Sequence, residues 1–90
     1  MSKEQEDLFS NLITFSTFIL SLNTAALIHL GELPDPLTNK KEVNLLSAKQ
    51  TIDTIEMLKE KTKGNLTLDE ERLINAILYE LKLKFLKVSD

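Results

Sequence analysis

The residues of this chain that could do chemistry are few, and the best placed is its single histidine. His29 is followed by Glu32 and Asp35, an imidazole and two carboxylates of the kind that hold a divalent cation. No second ligand lies at helical spacing from it, so a helix-terminal histidine satisfied by a carbonyl or carboxylate is the simpler reading. We therefore expect no metal and no cofactor, and keep His29, Glu32 and Asp35 only as an exposed candidate loop. The carboxylates Asp69, Glu70 and Glu71 fall at the start of a helical pattern, where they complement the dipole and the cap. Tyr79 sits beside Asn75 and Glu80 and reads as a half-buried amphipathic residue rather than a catalytic phenol. Lys59, Lys61 and Lys63 gather where a helix should end, favourable for the negative end of its dipole, and read as capping and solubility rather than an anion site. With no Cys, no HExxH, no GxSxG, and no phosphate-binding or dinucleotide-binding glycine pattern, no nucleophile is paired with a base. A non-enzymatic protein is the expectation.

The elements that must position these residues are helical. Two Gly and two Pro in 90 residues argue against a loop-rich chain, and the abundance of Leu, Ile, Lys and Glu favours helix over sheet. The formal net charge of −3 gives no electrostatic reason to expect nucleic acid. Absence of Cys leaves the compartment unread, and a cytoplasmic location is the default.

The chain is organised around residues 8 to 30, in which 23 consecutive residues carry no Lys, Arg, Asp or Glu. That length could cross a bilayer. Against it, nine of these residues are Ser, Thr, Asn or His, no Trp or Tyr anchors either end, and acidic residues flank both sides. The same acidic start disagrees with a secretory signal, so a buried helix is favoured over membrane association. Leu8, Leu12, Phe15, Ile19, Leu22, Ala26 and His29 form a heptad seam, with Phe18 on its flank. Ser10, Thr14, Thr17, Ser21 and Thr24 form a second seam of small hydroxyls about half a turn away.

The pattern predicts one long helix over about 4–30, roughly 40 Å at 1.5 Å per residue, capped by Gly31. A Pro-containing loop follows over 31–43, with Leu33 and Leu37 expected to pin it to the body. A second helix is predicted over about 44–63, its stripe Leu45, Ala48, Ile52, Ile55 and Leu58 facing inward and Gly64 closing it. Thr67 and Glu70 make a capping box opening a third helix over about 67–88. Asn65-Leu66-Thr67 also matches a glycosylation acceptor, more economically read as turn plus cap. The result is a single all-α domain, one long N-terminal helix packed against an antiparallel helical hairpin.

A hairpin covers only one side of the first helix. The remaining apolar strip is larger than a lone soluble domain tolerates, so oligomerisation is expected to complete the fold. Both seams of the first helix are candidate interfaces for a homo-oligomer, and the 31–43 loop is a surface for a further protein partner. The alternatives are a membrane-associated accessory subunit using residues 8–30, and a ligand-binding or metal-binding oligomer using His29, Glu32 and Asp35.

At HLGELPDP, residues 29–36, and IDTIEMLKEKTKGNLT, residues 52–67, the chain resembles a family of short bacterial proteins catalogued as domain of unknown function 1844. The resemblance spans nearly the whole chain. It implies a bacterial, cytoplasmic, helical protein and carries over no catalytic residue.

Overall fold

The computed structural model describes residues 13–90. Three helices, α1 (Phe15–His29), α2 (Leu45–Lys61) and α3 (Leu68–Ser89), pack against one another. The only pairing of β type among the described residues is an isolated antiparallel bridge between Leu30 and Val43. The fold is all-α, as the composition requires.

Among the described residues the first helix begins at Phe15, inside the uncharged run. Thr14 is extended, at φ −129° and ψ 164°, and closes a reciprocal box with Thr17. Thr17 N–H donates to Thr14 Oγ1 and Thr14 N–H donates to Thr17 Oγ1, both at 3.0 Å. These hydroxyls give the backbone an alternative to continuing helix, so the uncharged run is broken at Thr14. Of the helix expected over about 4–30, the described part is Phe15–His29, about 22 Å long at 1.5 Å per residue, and it begins at the Thr14 cap instead of running through it; residues 4–12 lie outside the described residues. Leu8, Ser10 and Leu12 lie outside the described residues. Among the described residues, no helix is long and apolar enough to cross a membrane.

The other end of α1 follows expectation. Gly31 has φ +78°, its N–H donates to Ile28 O at 3.0 Å, and Glu32 N–H reaches back to Leu27 O at 2.9 Å. This is a Schellman cap, and it needs a residue free of Cβ in the left-handed region. Asn44 N–H then donates to His29 O at 2.7 Å beside the Leu30–Val43 bridge, so the end of α1 and the start of α2 are clasped together.

Between them the loop is closed by its own backbone. Asp35 accepts the Leu37 N–H on Oδ1 and the Asn39 N–H on its carbonyl, while Asp35 N–H donates to Lys40 O. This Asx-type turn carries Leu37 outward to 94% exposure, and Leu33 is exposed as well. The expectation that these leucines pin the loop is corrected.

Asn44 caps α2, accepting the Ser47 N–H at 3.0 Å. Thr67 and Glu70 form the predicted box at α3, with Glu70 N–H donating to Thr67 Oγ1 and Thr67 N–H to Glu70 Oε1. The core holds Ile19, Ala26 and Leu30 from α1 and its cap, Ala48, Ile52 and Ile55 from α2, and Ile74, Ile77, Leu78 and Leu81 from α3. Phe15, Leu22, Leu58, Leu73 and Phe85 pack at its margin. No polar or charged residue among those described is buried. The Cα extents of 49 × 35 × 16 Å describe a slab, in which each helix contributes one stripe to a thin core and keeps its opposite face outside.

Candidate interaction surfaces

The heptad seam of α1 is the stripe that faces the hairpin. Ile19 and Ala26 are fully buried within one chain, and Phe15 and Leu22 are half-buried against the core. Ile19 and Ala26 are therefore corrected: side chains fully enclosed by the chain's own core have no surface left for a second copy, whereas Phe15 and Leu22 keep part of theirs.

The hydroxyl seam is the outward face. Thr14, Thr17, Ser21 and Thr24 are all exposed, flanked by Phe18 at 49% and Leu20 at 46%. Each of these four hydroxyls is already engaged within the chain. Ser21 Oγ donates to Phe18 O at 2.6 Å and Thr24 Oγ1 to Leu20 O at 3.1 Å, while Thr14 and Thr17 serve the cap. Back-bonding of this kind removes the donor from the surface and makes the face less demanding of water. From Phe15 to His29 there is no Lys, Arg, Asp or Glu.

His29, Glu32 and Asp35 are not brought together as a site. Glu32 Oε1 lies 3.8 Å from Lys84 Nζ, Asp35 is engaged in its own turn, and His29 is half-buried at the clasp. Among the described residues no three His, Asp or Glu side chains converge as a metal requires.

Two hollows remain. One, of about 340 Å³, lies at the α2–α3 turn, where Lys59, Glu60, Lys63 and Glu71 surround Leu66 and Ile74. The other, of about 250 Å³, lies between α1 and α3, with Asn23, Leu27, Glu80 and Lys84 on its walls. Each mixes both charge signs over an apolar floor. In neither does a nucleophile meet a base.

The third helix carries a surface that the sequence reading missed. Tyr79 is 67% exposed, correcting its expected half-burial, and Leu83 and Leu86 are exposed with it. Arg72, Ala76, Tyr79, Leu83 and Leu86 alternate spacings of four and three, so they share one stripe on the side away from the core. The signal was present in the sequence as a second heptad on a helix whose first apolar stripe already explained its burial. Beside this stripe, Lys82 Nζ reaches Glu56 Oε2 at 2.8 Å, whereas Glu80 and Lys87 are exposed and make no ion pair among the described residues.

Such a fold, three helices round a thin core with uncharged and heptad-patterned faces outside, defines a small all-α protein whose features lie on its surfaces rather than in a cleft. The family model Domain of unknown function (DUF1844) matches residues 12–87, and the chain belongs to that family. No curated protein and no solved structure matches it.

Proposed function

We propose that this chain is a non-enzymatic, self-associating helical scaffold or adaptor of the bacterial cytoplasm, assembling through the outward face of α1. The observation that carries the reading is the charge-free α1 helix, whose outer face of Thr17, Phe18, Leu20, Ser21 and Thr24 stands exposed in the single chain. Uncharged helix faces of this size are expensive to leave in water and are where soluble proteins meet partners. Small back-bonded hydroxyls let a second helix approach closely, with Phe18 and Leu20 supplying apolar area at the margins. The outward loop carrying Leu37 offers a separate surface to a protein partner.

Sedimentation velocity on the full chain tests this, with Phe18→Asp and Ser21→Asp as the variants. Neither residue belongs to the core, so both variants stay helical. The wild type associates with rising concentration, and both variants shift toward the monomer. A monomeric wild type, or association unaltered in both variants, overturns the reading.

A further inference from the structure

We propose that the outward stripe of α3 is a second self-association surface, and that its occupant is the same stripe of another copy lying antiparallel. The stripe has the geometry of a helix–helix seam: Ala76, Tyr79, Leu83 and Leu86 follow the heptad alternation and are all exposed. It belongs to a different helix from the α1 face and does not rest on that reading.

Charge selects the occupant and its direction. Glu80 and Lys87 stand one heptad apart on the same edge of the stripe, opposite in sign and without ion-pair partners among the described residues. In an antiparallel seam, residues on the same edge of the two helices face each other. Setting Leu83 against the partner's Leu86 places Glu80 beside the partner's Lys87, and two-fold symmetry repeats the pair with roles exchanged. The four leucines form the centre, with a tyrosine toward each end. A parallel arrangement instead brings Arg72 against the partner's Arg72 and Lys82 against the partner's Lys87, which repel. The sequence of charges along one edge thus fits a second copy in one orientation.

The test is a charge exchange in the full chain. Glu80→Lys makes that edge wholly basic, Lys87→Glu makes it wholly acidic, and the double variant exchanges the two signs. Because both side chains are exposed and unpaired, the circular dichroism spectrum of each variant stays that of the wild type. Each single variant turns two attractive pairs into repulsive ones and weakens self-association by about ten-fold at low salt. The double variant recovers the wild-type affinity. An equimolar mixture of the single variants forms a heterodimer in native mass spectrometry in preference to either homodimer. Single variants that associate as the wild type does, or a mixture without heterodimer preference, overturn the proposal.

Repeating the mixture with Phe18→Asp in both chains separates the two surfaces. Persistence of the heterodimer preference there supports the α3 seam whatever the fate of the α1 face. Its loss in that background shows that α1 carries the association and overturns the α3 seam as an independent surface.

Discussion

Replacing Gly31 with Ala strikes the fold at two points that can be measured separately. At φ +78° an L-residue sits in the left-handed region, which costs about 1–2 kcal/mol. The added Cβ would also stand 2.9 Å from Val43 Cγ2, inside contact distance, and relief of such overlap in a packed position costs about 1–3 kcal/mol. Together these remove about 2–5 kcal/mol from a domain whose total stability is on the order of 5–15 kcal/mol. At 4–8 °C per kcal/mol for a chain of this size, the midpoint of thermal unfolding falls by about 10 °C or more. Gly64→Ala is the matched control: its φ is +83°, and nothing lies within 4 Å of the new Cβ. It bears only the conformational cost, partly offset by the stiffer unfolded chain. Val43→Ala, which removes Cγ2, should return part of the Gly31→Ala loss when the two are combined. The assay is thermal melting by circular dichroism at one fixed protein concentration, since association also shifts the midpoint. Equal losses for Gly31→Ala and Gly64→Ala, or strict additivity of Gly31→Ala with Val43→Ala, would refute the account of the Leu30–Val43 clasp.

Two further outcomes follow from local chemistry. Thr14→Ala removes the side-chain acceptor for Thr17 N–H and should cost about 1 kcal/mol, with hydrogen exchange accelerated at Thr17 ahead of the rest of α1. Ile55→Ala empties a fully buried site in the central stripe and should cost about 2–5 kcal/mol, read from denaturant midpoints; a loss below that range would mean the thin core collapses freely around the gap.

Much of the fold was legible because its signals are local. Gly31 and the Thr67–Glu70 box announce helix ends through chemistry confined to a few residues, and Ala48, Ile52 and Ile55 announce an inward stripe through their spacing. The start of α1 was not legible from hydrophobicity, because a run of uncharged residues contains no change of polarity at Thr14. The break depends on which hydroxyl the backbone chooses, and a Thr at the third helical position serves the box where Glu70 serves it in α3. Leu37 was misplaced for a similar reason: its apolar character says bury, while the carboxylate of Asp35 turns the chain outward. The buried side of α1 hid the available surfaces in another way. A heptad looks the same whether its partner is the rest of the chain or a second molecule, so Ile19 and Ala26 could be assigned only once the hairpin was in place. On α3 the ambiguity ran the other way, with Tyr79, Leu83 and Leu86 overlooked beside a stronger stripe.

The hydrogen bond from Asn44 N–H to His29 O joins two helix ends that each lack a partner, a donor at the start of α2 and an acceptor at the end of α1. Opposed helix dipoles meet there with complementary ends. The spacing of α1 and α2 is therefore set at the clasp, and the tip around Leu37 is mechanically decoupled from it. That tip is a handle: residues can be added or a probe attached there without the bundle registering the change.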